Sequence, residues 1–148
     1  MIGLIQRCAE ASVRVDGKVV GHIGPGLLVL VGVRRADDPA SADRLLERLL
    51  SYRVFADAQG RMNRSLRDTG GGLLLVPQFT LAADTQKGTR AGFSTAAPPD
   101  AARVLFSYLL ERATVTHAIV SAGIFGADMQ VALVNDGPVT FWLESPGA

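Results

Sequence analysis

Cysteine is nearly missing from this chain. Cys8 stands alone, so no internal disulfide can form, and one cysteine with two distant histidines supplies no metal-ligand set. A reducing, cytoplasmic setting fits, and neither a metal nor a cofactor is expected. Long apolar runs are missing too. The opening "MIGLIQRCAE" is too short in its apolar stretch for a signal peptide, and no later run reaches membrane-spanning length without charges or turn formers. Export and membrane partners are therefore not expected. Aromatic residues make up only 6% and the formal charge is +1, so a nucleic-acid partner would have to be met by small local clusters of Lys and Arg. What is present, 48% hydrophobic and 20% charged residues in 148, argues for one folded domain over residues 1–148 with a proper core.

Alternating apolar positions in "GLIQR" and "ASVRVDGKVVGHI", broken by Asp16-Gly17, predict paired strands from Ile2 to Val20. "GLLVLVGV" (Gly26 to Val33) is apolar throughout, as a strand buried on both faces would be. Asp38-Pro39 offers an N-cap followed by proline at the first helical position, and Leu45, Leu46, Leu49 and Leu50 recur at helical spacing, so a helix is expected from Pro39 to Tyr52. "YRVFAD" is a short strand candidate followed by the turn "AQGR", and "GGGLLLVPQFTL" starts with a flexible triplet and continues as a buried strand ending near Pro77. The aperiodic stretch from Ala82 to Pro99 is long enough to suggest a functional loop. A second helix follows "AAPPD", with Val104, Leu105, Tyr108 and Leu109 on one face. "ATVTHAIVSA" and "MQVALVNDGPVTFWLE" predict three further strands, and the terminal "SPGA" is expected to fray. The fold class is α+β: a mostly antiparallel sheet or barrel-like core with two main helices on one side.

Two places could carry chemistry. "PQFTL" sets Gln78 and Thr80 where a buried strand meets the long loop, although no histidine or carboxylate lies beside Thr80 to act as its base. His22 and His117 lack a paired carboxylate at a suggestive spacing, and Cys8, though it follows Arg7, has the ordinary fate of a small buried hydrophobe open to it. "VNDGPVT" places Gly137-Pro138 between two apolar runs, which by spacing alone is a hairpin turn.

Taken together, "VPQFTLAAD" and "MQVALVNDGPVTFWL" resemble the two motifs of the D-aminoacyl-tRNA deacylases, and the similarity extends through "MIGLIQR", "GLLVLVGV", "YRVF" and the "RAGFS" loop to cover nearly the whole chain. The resemblance implies a homodimeric enzyme that hydrolyses the ester between a D-amino acid and the 3′ end of tRNA, with no DNA partner. It also implies that Gly137-Pro138, in the cis form, enters the active site of the other subunit and turns away L-aminoacyl groups by occupying the space their side chains need. That displaces the hairpin expectation. Glycine has no side chain to exclude, so glycyl-tRNA, including tRNA-Ala charged with glycine, is expected to be accepted. Gln78, Phe79 and Thr80 map to the catalytic motif, with main-chain N–H groups at Phe79 and Thr80 and the Gln78 amide as oxyanion donors and the terminal 2′-OH as the activating group. Gln6, Arg7, Lys87, Arg90, Phe93, Phe125 and Met129 are the expected tRNA-end contacts, and Arg7 is expected to bond a carbonyl near Pro138. Pro77 departs from the family's serine, removing a hydroxyl and an N–H, which leaves at best a supporting role for that serine. Two rivals stay open: a conventional Thr80- or Cys8-dependent esterase, and a non-catalytic module that binds tRNA ends.

Overall fold

Asp16 and Gly17 both take positive φ, 49° and 77°, the pairing a two-residue turn needs to match the twist of the strands it joins. Strand β1 (Ile2–Val15) therefore reverses into β2 (Lys18–Ile23), and after a bend at Gly24-Pro25 the chain continues along the same side of β1 as β3 (Gly26–Gly32). This is a computed structural model, and it describes residues 1–145. From the expected fraying segment, Ser145 is in fact buried and donates its hydroxyl to the Ser41 carbonyl at 2.7 Å, while Pro146 to Ala148 lie outside the described residues.

The sheet grows from β3 by two parallel pairings, to β6 (Gly72–Pro77) and then β7 (Val120–Ala122). Parallel neighbours require crossovers. The first carries helix α1 (Pro39–Ser51), the hairpin β4–β5 (Phe55–Ala56, Met62–Arg64) and the short helix α2 (Leu66–Thr69); the second carries α3 (Pro99–Thr116). The sheet remains mostly antiparallel, with this parallel segment built in. Strand β7 returns to β2, where the His22 amide donates to Ser121 Oγ at 3.1 Å, so the sheet is nearly closed. Strand β8 (Gln130–Glu144) runs along the outer side of β1.

Near closure explains the unbroken apolar run in β3. Leu27, Val29 and Val31 face α1 and α3 and join Leu45, Leu49, Leu105, Phe106 and Leu109 in the larger core. Leu28, with Cys8, Val13, Ile23, Leu74 and Val76, fills the other face. Helix α1 starts as expected: Asp38 accepts from the Ser41 amide, and Ser41 Oγ accepts from the Asp38 amide, closing both ends of the cap.

Three expectations are corrected. "ATVT" is the last turn of α3 rather than a strand, because Ala113 continues the buried helical face of Leu105 and Leu109. There Thr114 and Thr116 return their hydroxyls to the carbonyls of Leu110 and Arg112, and packing overrides their β preference. The "GGG" triplet is not merely flexible: Gly70 at φ 70° ends α2, a helix capped by Ser65 and Asp68 that the sequence pattern does not announce. Finally, "MQVALVNDGPVTFWLE" is one strand, not two joined by a turn. Four residues, Asp136 to Val139, bulge out opposite the single residue Arg7, between the pairs Cys8–Asn135 and Gln6–Thr140.

Candidate active site

Strand β6 ends at Pro77 and the chain turns at once into a 3-10 helix, Phe79–Ala82. A helical turn leaves its leading amides without acceptors inside the turn, so the N–H groups of Phe79 and Thr80 head it as open donors. The Gln78 amide N–H is taken by the Val31 carbonyl at 2.8 Å, which pins the turn to β3. Gln78 Nε2 donates to Thr80 Oγ1 at 2.5 Å. The Thr80 hydroxyl thus accepts from an amide, and its side-chain bond goes to no base of the kind an activated nucleophile requires.

Gln78 and Phe79 open onto a cleft of about 680 Å³, the size of a small-ligand site. Its walls are Pro77, Phe93, Ala97, Pro99, Phe125 and Met129, with Arg35 as the one charged residue of the lining. Phe79 is 61% exposed and Phe93 45%, and their rings lie 5.4 Å apart across the mouth. The two rings pack on each other at a tilt and still present open apolar faces at the cleft. Met129 enters the wall because Gly123 makes room: a Cβ there would lie 2.7 Å from Met129 Sδ and 3.5 Å from Pro77 Cδ. Phe125 is set by Phe106 behind it, ring centres 6.3 Å apart.

The long loop from Ala82 to Pro99 is tied down. Asp84 and Gly92 exchange backbone bonds at 2.8 and 2.9 Å, and the Arg35 and Ala97 amides bond the carbonyls of Thr95 and Val33. Lys87 and Arg90 sit on the tip beyond Asp84–Gly92, outside the cleft lining. Thr80 also parts from Gln78 and Phe79: it lines a second hollow of about 400 Å³ with Ile2, Arg34, Thr85, Thr95 and Trp142. At the edge of that hollow the Trp142 indole donates to Glu144 Oε1 at 2.7 Å, and Arg34 pairs with the same oxygen at 2.8 Å. The indole first, and then the guanidinium, hold the Glu144 carboxyl below its usual range.

Neither Gly137 nor Pro138 lines this cleft. Their peptide bond is cis, and Gly137 takes φ 136°, open to glycine but not to L side chains at low cost. Arg7 holds the bulge from beneath: its Nε donates to the Asp136 carbonyl at 2.9 Å and its Nη1 to the Val54 carbonyl at 2.7 Å. Gln6 sits beside it in the register, opposite Thr140 and Leu28. Cys8 is 2% exposed, bonds the Gly26 carbonyl at 3.5 Å, and has its thiol pushed up by burial. It cannot serve as a nucleophile. His22 is exposed on β2, His117 caps α3 against the Gly71 carbonyl at 2.6 Å, and neither approaches the cleft lining.

The profile of the family described as D-Tyr-tRNA(Tyr) deacylase matches residues 4–144. This chain belongs to that family. Two proteins named D-aminoacyl-tRNA deacylase are among its relatives: one from Thioalkalivibrio sulfidiphilus, 64% identical over 99% of this chain and 98% of its own, and one from Alkalilimnicola ehrlichii, 66% identical over 98% and 97%. A solved structure described as c-Myc DNA unwinding element binding protein superposes with TM-score 0.94 at 37% identity, covering 99% of this chain and all of its own. A probable eukaryotic D-amino acid tRNA deacylase shares the fold at 16% identity, with TM-score 0.85 over 97% of this chain and 98% of its own.

Within this deacylase family member, the sequence motifs find the floor of the cleft and its aromatic walls. They miss Arg35, Ala97 and Pro99, which the bonds between the loop and the chain just after β3 bring to the site, and Gly123 after β7, which leaves room for Met129. The "AAPPD" prolines were legible as a helix start, but nothing in one sequence says that their rings face the cleft.

Proposed function

We propose that this chain hydrolyses the ester between a D-amino acid and the 3′ end of tRNA. The observation that carries this is the cleft itself: in a member of this family, open stacking aromatics converge on a turn that offers backbone donors and no nucleophile–base pair. The terminal adenine stacks against Phe79, Phe93 and Phe125, and Met129 completes the wall. The ester then lies against the main-chain N–H groups of Phe79 and Thr80 and the second N–H of the Gln78 side-chain amide, which stabilise the negative charge that develops on its carbonyl oxygen. With no side-chain base at hand, the neighbouring 2′-OH of the adenosine activates the attacking water. An ester on a terminal 2′-deoxyadenosine should accordingly be cleaved at least ~100-fold more slowly, the usual scale of general acid–base assistance. Undiminished cleavage would return the case to a protein-borne nucleophile.

Chirality is read by a second copy of the chain. The Asp136–Val139 bulge projects from β8, and exposed Val131, Val134 and Trp142 lie along that outer strand. A long edge strand with apolar residues calls for a partner. In a symmetric pair each bulge reaches the other subunit's cleft, where the backbone of Gly137 and Pro138 fills the space an L side chain would need, while a D side chain points away. Glycyl-tRNA passes the same filter. The deciding experiment compares D- and L-tyrosyl-tRNA at catalytic enzyme concentration: turnover of the D form, with the L form untouched, is expected. Equal cleavage of both, or of neither, would refute the assignment.

A further inference from the structure

The cleft is nearly all apolar, yet a single strand of RNA brings a negative charge with every base. Arg35 is the one charged residue in the lining, and its orientation is fixed twice: the backbone amide bonds the Thr95 carbonyl at 3.0 Å, and Nε donates to the Ser94 carbonyl at 3.1 Å. This leaves its two Nη groups at the outer end. Outside the lining, Arg103 on α3 lies over the ring of the wall residue Phe125 with Cζ 4.8 Å from the ring centre. Its Nη2 is 3.4 Å from where a Cβ on Gly126 would stand, and Gly126 also lines the cleft. Among the described residues neither guanidinium forms an ion pair with a carboxylate. Unpaired, partly immobilised guanidiniums beside stacking aromatics are suited to phosphate, which they can bond through two N–H groups at once.

We propose that Arg35 and Arg103 bind the backbone phosphates that precede the terminal adenosine, one on each side of the cleft mouth. The assignment rests on the deacylase function above and adds to it the site that holds the CCA strand. Lys87 and Arg90, on the loop tip, would then meet the strand only further out. Two phosphates in a single-stranded segment predict a shallow salt dependence, a slope near ~−1.4 in log K against log salt, losing ~0.7 with each arginine removed.

The test uses the full-length protein with Arg35→Gln and Arg103→Gln, which keep polarity and most of the side-chain length. On D-tyrosyl-tRNA each variant should raise KM about tenfold with kcat within twofold. On D-tyrosyl-adenosine, which has no 5′ phosphate, each should match the wild type. Binding of an uncharged, fluorescently labelled CCA trinucleotide should weaken in parallel, and its salt slope should fall. Equal losses on both substrates would show a damaged cleft instead and overturn the clamp, as would unchanged KM and unchanged salt slope. Should the wild type fail to hydrolyse D-tyrosyl-tRNA, the proposed function falls, and trinucleotide binding alone decides the clamp.

Discussion

Thr80 shows how much a single residue's partners decide. By sequence it is the obvious hydroxyl of the motif. In the fold its oxygen accepts from the Gln78 side-chain amide, and the residue lines the smaller hollow rather than the aromatic cleft. Thr80→Ala should therefore keep kcat within about tenfold of wild type, far from the loss of many orders that removal of a true nucleophile brings; a folded but inactive variant, or a trapped acyl-enzyme, would reverse this. Glu144 gives a second single-residue expectation, this time in pH. Its carboxyl sits below the usual range, so the carboxylate form favours the folded state. That contribution is complete above the ordinary glutamate pKa and fades as pH falls through the lower folded value. It is modest, because the group is about half exposed. In urea melts the wild type should be slightly more stable than Glu144→Gln at pH 7 and lose that margin at acid pH; a margin that grew on acidification would contradict the geometry.

Elements were legible in the sequence wherever one periodicity governed them. Helix α1 follows from Asp38, Pro39 and the leucines, and the hairpin from Asp16-Gly17. Helix α3 overran its expected end because Ala113, too small to register as a core residue by type, is fully buried. Strand β8 was misread for a different reason: a four-residue bulge and a hairpin turn use the same residues, and only pairing with β1 tells them apart. What holds the bulge is Arg7, bridging the carbonyls of Asp136 and Val54. Bonds from a charged donor are worth ~1.5–3 kcal/mol each. Arg7→Ala should accordingly let L-tyrosyl-tRNA be cleaved and narrow the D-over-L ratio by ~10–100-fold, with a melting temperature only a few degrees lower, measured by turnover of both enantiomers and calorimetry; an unaltered ratio would mean that the bulge needs no support.

At the level of the whole molecule, the chain's ends are stitched together. The Met1 ammonium pairs with Asp37 at 2.6 Å and bonds the Ser145 carbonyl at 2.5 Å. Burial pulls that ammonium's pKa down, while Asp37 works against the shift. This fastening places β1 and β8 side by side over their full length, and with them the floor beneath the bulge. None of it is visible in a single sequence, since it joins residues from opposite ends of the chain.

The bulge and the cleft belong to different parts of the same chain, so in the proposed pair each active unit has a divided inheritance. A protein crippled in the cleft, such as Gln78→Ala with Phe79→Ala, still carries a sound bulge; one crippled at Gly137→Val still carries a sound cleft. Co-refolded in equal amounts, half of the pairs should be mixed, and each mixed pair should hold one intact site of two, restoring D-selective activity to about a quarter of wild type. A chiral selection that neither preparation has alone would thus reappear in the mixture.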